Sequence, residues 1–214
     1  MTVASVMTKN PFTVKDNDPV TDAQTILRRE KIHRLPVLDH RGALIGIVSE
    51  KDLLYAAPSP ATTLNVYEMS NLLSKLKVST VMSKDLITVS SSTPVEDAAR
   101  LLVDNNIGGL PVVDEGKLVG IVTESDLFRL LIDLFGTRHK GVRVTLRVPE
   151  RPGELADATK AVADAGGNLI ALGTFSGNDM SNAVIILKAE GIEKDRLIEV
   201  LEPLVIEVID VREA

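Results

Sequence analysis

The sequence predicts a mixed α/β (α+β) chain in which a β-α-β-β-α unit occurs twice and is followed by a βαββαβ domain. Three observations predict this. First, Val6-Met7-Thr8-Lys9 returns as Val81-Met82-Ser83-Lys84, and the two passages then stay in step. Thr13-Val14 matches Thr88-Val89, Pro19-Val20 matches Pro94-Val95, and Leu35-Pro36-Val37 matches Leu110-Pro111-Val112. After a one-residue deletion they run on as Gly46-Ile47-Val48-Ser49-Glu50-Lys51-Asp52-Leu53 and Gly120-Ile121-Val122-Thr123-Glu124-Ser125-Asp126-Leu127. Second, apolar residues within each copy alternate between helical and strand spacing. Third, the repeat stops before Val142, where a strictly alternating segment begins. Two copies of a repeat bury against each other the faces that neither buries alone. Packed about a pseudo-two-fold axis, they carry clefts in related pairs, so two similar ligand sites are expected.

Each copy opens with a short extended segment ending at Thr13-Val14 or Thr88-Val89. Asp18-Pro19 and Thr93-Pro94 then read as helix starts, with Asp or Thr as N-cap and Pro at the first helical position. The helices carry Val20, Ala23, Ile26 and Leu27, or Val95, Ala98, Leu101 and Leu102, on one face. A strand follows (35–38 or 110–113), then a turn, Asp39-His40-Arg41-Gly42 or Asp114-Glu115-Gly116. A second strand (44–48 or 118–122) leads into a helix beginning near Asp52 or Asp126. Between the copies, Pro58, Pro60 and Thr62-Thr63 mark a loop over 57–64. Met69, Leu72, Leu73 and Leu76 mark a helix over 65–76. Leu127, Leu130, Leu131, Leu134 and Phe135 continue the last helix of the second copy, and Gly136 stops it.

Thr137-Arg138-His139-Lys140-Gly141 reads as a basic linker. Beyond it, Val142, Val144, Leu146 and Val148 alternate with polar residues as in a half-buried strand. Pro149 to Gly153 form a turn, residues 155–165 a helix stopped by Gly166-Gly167, 168–175 and 182–189 strands, 194–201 a helix and 205–211 a last strand. This order is the ferredoxin-like arrangement, with helices on one face of an antiparallel sheet. The divisions expected are 1–57 and 78–136 for the two copies, 58–77 for the connection between them, 137–141 for the linker and 142–214 for the last domain.

Composition narrows the function. The chain has 214 residues, 44% of them hydrophobic, enough for two compact domains. Only 3% are aromatic, so the cores are aliphatic. A net charge of −6 without a long basic run argues against nucleic acid as partner, but not against a nucleotide, whose phosphate needs only a few donors. The absence of cysteine excludes disulfides, cysteine–metal sites and thiol nucleophiles. The N-terminal MTVASVMTKNPF does not have the pattern of a signal peptide, and no run of about 18 apolar residues exists to insert into a membrane. A cytoplasmic location is expected.

The repeated passage, with Leu-Pro-Val, Gly-Ile-Val and the closing Ser49-x-x-Asp52 and Thr123-x-x-Asp126, resembles a tandem pair of CBS domains. The C-terminal passage, on Val148-Pro149-Glu150-Arg151-Pro152-Gly153-Glu154-Leu155 and its element order, resembles an ACT domain. The combination resembles the family of bacterial acetoin-utilisation proteins of the AcuB type. These resemblances imply a regulatory homodimer acting on another, unknown protein. They also imply an adenine nucleotide or adenosyl ligand between the copies: AMP, ADP, ATP, S-adenosylmethionine or NADH. The implied contacts are Ser49, Asp52, Thr123 and Asp126 to ribose and phosphate, the backbone around Thr13, Val14, Thr88 and Val89 to adenine, and Pro36 and Pro111 beside them. They also imply a phosphate contact at His33-Arg34, where the second copy has Gly108-Gly109, and a small ligand, often an amino acid, at Arg151-Pro152-Gly153 with Asn168.

Read from the residues alone, each feature has a second meaning. Ser/Thr-x-x-Asp ahead of an apolar run is also a capping box. Arg34 also reads as a solvated loop charge, Lys51 and Lys117, lesser candidates for the phosphate, as solvent-facing, and Gly153 as a residue that a tight turn requires. Catalysis has little support: His33, His40 and His139 fall at unrelated places, and no nucleophile elbow, Walker loop, zinc spacing or G-x-G-x-x-G occurs. Asp52 and Asp126 belong to separate copies and not to one acid–base pair. The expectation is a sensor without catalytic residues or metal. The rival is a ligand-independent scaffold for an enzyme or transporter.

Overall fold

The computed structural model describes residues 1–56 and 66–214. The expected loop at 57–64 lies outside the described residues, as do the side chains of Met69 and Leu72. The chain divides into two compact units, Met1–Leu127 and Phe128–Ala214.

In the first unit the order is β1 (Thr8–Lys9), β2 (Val14–Lys15), α1 (Val20–Glu30), β3 (Arg34–Leu38), β4 (Leu44–Ser49) and α2 (Glu50–Ala56). Then come α3 (Val66–Lys75), α4 (Val95–Asp104), β5 (Gly109–Asp114) and β6 (Lys117–Thr123). Helix α5 (Glu124–Leu134) starts here and ends in the second unit. Two three-stranded sheets result, ordered β2-β3-β4 and β1-β6-β5. In the second copy the extended segment at Thr88-Val89 shrinks to a single parallel bridge, Val89 to Val112. Each copy buries its own aliphatic core, around Leu27, Leu35, Val37 and Val48 in one and Leu102, Leu110, Val112 and Val122 in the other.

The helix starts differ from the expectation. Pro19 and Pro94 are the N-caps themselves, and α1 and α4 begin one residue later. The Asp18 carboxylate instead accepts the Lys15 N–H (2.7 Å), and the Thr93 hydroxyl accepts the Ser90 N–H (3.1 Å). Both side chains close the turn before the helix. The first helical N–H groups are satisfied from elsewhere: Val20 donates to the Leu76 carbonyl and Val95 to that of Met1.

That last detail reflects a larger feature. The segment that opens each copy packs against the other copy. Val3, Val6 and Met7 join the core of the second copy, and Val78, Val81 and Met82 join that of the first. Strand β1 pairs antiparallel with β6, and Ser83 bridges to Ile47 of β4 with hydrogen bonds in both directions (2.9 and 3.0 Å). Met7 lies on Gly120 and Met82 on Gly46, where a Cβ would come within 2.5 and 2.4 Å of the thioether sulfur.

In the second unit, β7 (Val142–Pro149), α6 (Glu154–Asp164), β8 (Asn168–Ser176), β9 (Asn182–Glu190), α7 (Lys194–Leu201) and β10 (Glu207–Glu213) form an antiparallel sheet ordered β10-β7-β9-β8. The last strand starts later than expected because Glu202–Leu204, with Pro203, form a 3₁₀ turn. Val142, Val144, Leu146 and Val148 point into a core shared with Ala158, Val162, Leu197 and Leu201 of the helices. Arg143, Thr145 and Arg147 therefore face the other side. Among the described residues no helix is long and apolar enough to cross a membrane.

Candidate functional site

The exchange of opening segments shapes a cleft of about 700 Å³ within the first unit. The first copy contributes His33, Arg34, Ile47, Ser49 and Asp52. The second contributes residues 83–87, then 106–109 and Pro111. Because Ser83 is tied to Ile47 and Met82 seats on Gly46, the wall formed by 83–87 is fixed to the first copy's sheet.

At the start of α2 the Ser49 N–H and Oγ–H both donate to Asp52 Oδ2 (2.8 and 2.7 Å), and the Asp52 N–H donates back to Ser49 Oγ (3.3 Å). This is a reciprocal cap. It engages one carboxylate oxygen, and Asp52 remains partly exposed on the cleft. Among the described residues no partner takes Oδ1, which is available to accept hydrogen bonds from hydroxyls. Thr123 and Asp126 repeat the geometry, with the Thr123 N–H and Oγ1–H donating to Asp126 Oδ2 (2.9 and 2.7 Å). Here the acid is only 6% exposed.

The Arg34 guanidinium lies over Gly108 and Gly109, where added Cβ atoms would meet its nitrogens at 2.3 and 2.5 Å. Half-burial pulls its pKa below the ordinary value, and the charge of Glu124 works in the opposite direction. His33 Nδ1 sits 2.8 Å from Glu50 Oε2 at the exposed rim.

Of the residues singled out in the sequence, His33, Arg34, Ser49, Lys51, Asp52 and Pro111 come together in this cleft; Thr13, Pro36, Thr88, Thr123 and Asp126 do not line it. Val14 and Val89, expected against adenine, are core residues, 3% and 7% exposed. Their backbones are occupied as well: Val14 pairs with Val37, and Val89 exchanges hydrogen bonds with Pro111 and Val113. Residues 83–87 and 106–107 escaped sequence reasoning. Their signal was present in the repeated Val-Met-Ser/Thr-Lys, but nothing local reveals that this segment crosses to the other copy.

In the second unit a hollow of about 970 Å³ adjoins the turn after β7 and includes Arg151, Pro152, Gly153, Phe175 and Asn182. Gly153 caps α6 at φ 100°, a left-handed conformation that glycine adopts without strain, so the turn itself requires it. The Arg151 guanidinium bonds the buried carboxylate of Glu154. Asn168 is not part of this group. It stands at the opposite end of β8, where its amide donates to Glu190 (2.8 Å).

Comparison with known proteins agrees with this layout. The CBS domain model matches residues 3–59 and 78–133, and the TTHA0829-like ACT domain model matches residues 140–212. Both are regulatory, non-catalytic modules. A candidate acetoin utilization protein (AcuB) from Vibrio cholerae is 31% identical with a TM-score of 0.54, over 64% of this chain and 95% of that one. The CBS domain pair of protein MJ0100, solved with 5'-methylthioadenosine and S-adenosyl-L-methionine, is 30% identical with a TM-score of 0.52, over 65% and 98%. CBSX2, solved with AMP, is 38% identical with a TM-score of 0.50, over 61% and 96%.

Proposed function

Since the chain belongs to the CBS-domain family and ends in an ACT domain, we propose that it is a cytoplasmic regulatory protein whose CBS pair senses an adenine nucleotide or adenosyl compound. The observation that carries the reading is the cleft around Ser49 and Asp52. A partly exposed carboxylate with a free oxygen, a hydroxyl at a helix start, and the cations Arg34 and Lys84 line one space. The carboxylate suits paired ribose hydroxyls, and the fork of Arg34 suits phosphate oxygens. Ile87 and Ile107 offer apolar surface for a base. Two relatives carry ligands of this class.

Ligand would favour one arrangement of the two copies, by no more than its difference in affinity for the arrangements, typically about 1–3 kcal/mol. The ACT domain would pair two chains as a homodimer or take a second ligand, such as an amino acid, at Arg151-Pro152-Gly153. A place in acetoin utilisation is part of this proposal and rests on the likeness to AcuB.

Calorimetric titration with AMP, ATP, NADH and S-adenosylmethionine tests it. At least one should bind, and Asp52→Ala should weaken that ligand by about 10- to 100-fold through loss of charge-assisted hydrogen bonds. Absence of binding to all four, in folded protein free of copurified nucleotide, would reduce Ser49 and Asp52 to a helix cap and leave the scaffold.

A further inference from the structure

The face of the C-terminal sheet that turns away from α6 and α7 carries an unusual row of charges. Lys188 on β9 stands directly opposite Arg143 on β7, and Arg143 stands directly opposite Arg212 on β10. Directly opposed residues in an antiparallel pair share a face, with Cβ atoms about 5 Å apart, and like charges there destabilise the sheet. Asp210, in the next row, is held through both oxygens by Arg212 (2.8 and 2.7 Å) and only distantly by Arg143 (3.4 Å). Lys188 is 3% exposed, and the acceptor its ammonium meets is the Gly136 carbonyl, at 3.1 Å. A buried ammonium normally has an anionic partner.

A cleft of about 450 Å³ opens beside these two cations, within the size range of small-ligand sites. Besides Lys188 and Arg143 it is lined by Leu131, Ile132, Phe135 and Ile186, with Thr137 and Ala214 completing it. Among the described residues, no Asp or Glu side chain lines it. We infer that this cleft is a binding site for a small monocarboxylate with an aliphatic body. The carboxylate bridges Lys188 Nζ and Arg143, relieving the repulsion between them, and the aliphatic part lies among Leu131, Ile132, Phe135 and Ile186. An amino acid is disfavoured, because its ammonium would meet two cations and, among the described residues, no Asp or Glu side chain. The site lies at the opposite end of β7 from the turn at Arg151-Pro152-Gly153 and goes beyond the adenosyl-sensing role. The capping of α5 by Lys188 accounts for that one lysine, and Arg143 reaches Thr145 Oγ1 (3.1 Å) and Asp210 (3.4 Å), but neither contact accounts for the apolar cleft alongside.

The test uses the full chain and three probes of one shape: 4-methylpentanoate, its amide and leucine. Calorimetric titration to about 10 mM should show the acid binding and the other two at least about tenfold weaker. Backbone NMR shifts on titration should concentrate at 131–137, 143 and 186–188. Lys188→Met and Arg143→Met should each weaken the acid by about tenfold or more. Should Lys188→Met fail to fold, Arg143→Met and the acid–amide comparison on the unaltered chain still decide. Equal binding of acid and amide, shifts centred elsewhere, or no binding of the acid would overturn the inference. Binding of AMP or S-adenosylmethionine is measured separately, so failure here and failure of the sensing role are distinguishable.

Discussion

Ser49 and Asp52 do two jobs with different oxygens. Oδ2 closes the cap, which leaves Oδ1 of a cleft-lining residue for a ligand. Thr123 closes a similar cap on Asp126, whose carboxylate is buried. Asp126→Ala should therefore cost about 1–2 kcal/mol in urea unfolding, as the loss of a helix cap does, and leave AMP affinity within about twofold. Asp52→Ala should lose both stability and affinity. Equal losses of affinity in the two variants would refute this division. A second residue-level expectation concerns acid. Hydrogen bonds from Ser91, side chain and then backbone, hold the Asp114 carboxyl below its usual range, and Ser181 does the same for Asp179. A carboxylate whose folded pKa is depressed adds stability above its unfolded pKa, near 4, and that stability is lost as pH falls through the folded value. Unfolding midpoints recorded from pH 6 to about 2 should decline on acidification, and Asp114→Asn should flatten the decline. A steeper acid limb in that variant would contradict the assignment. The Ser/Thr-x-x-Asp motif was legible because a cap is local, set by residues three apart. Val14 and Val89 carry no such local signal, because a buried strand residue and an adenine-facing one look alike in sequence.

At the scale of elements, the strands, their turns and the order βαββαβ were legible from period and punctuation. Glu115 and Gly116, for example, both take positive φ in a tight hairpin. The exchanged opening segments were not. Val3, Val6 and Met7 match Val78, Val81 and Met82 residue for residue, so local preferences are the same whichever copy the segment joins. Only closure of the chain around both sheets decides between them. The exchange has a measurable consequence. Val3 is fully buried in the second copy's core, and Met7 seats on Gly120. Deleting residues 1–7 should cost about 3 kcal/mol or more of apolar burial. In hydrogen exchange, amides of β5 and β6 should lose protection before those of β3 and β4, since the damage falls on the copy that the segment does not precede in sequence. Prior loss in β3 and β4 would mean that the segment serves its own copy.

Across the pair of copies, one departure from the repeat is required by the packing. His33-Arg34 and Gly108-Gly109 occupy corresponding positions, and the guanidinium from one lies on the backbone of the other. A Cβ on Gly108 would come 2.3 Å from Arg34 Nη2, so two large side chains cannot share this place. The sequence displayed the inequality; only the packing gives its reason, because the contact joins residues far apart in the chain. One cation is thereby supplied to a cleft whose other anchors are Ser49 and Asp52. Gly108→Ala probes it without touching any proposed ligand contact. The obstructed atom is the far end of a flexible side chain, so Arg34 moves and stability should change by less than about 1 kcal/mol. If Arg34 holds phosphate, that displacement should lower affinity for AMP more than for adenosine, as Arg34→Ala should. The double variant should be no worse than Arg34→Ala alone, because both remove the same interaction. Equal losses for AMP and adenosine, or additive losses in the double variant, would take Arg34 away from the phosphate. The glycine pair would then serve only to let the two copies meet.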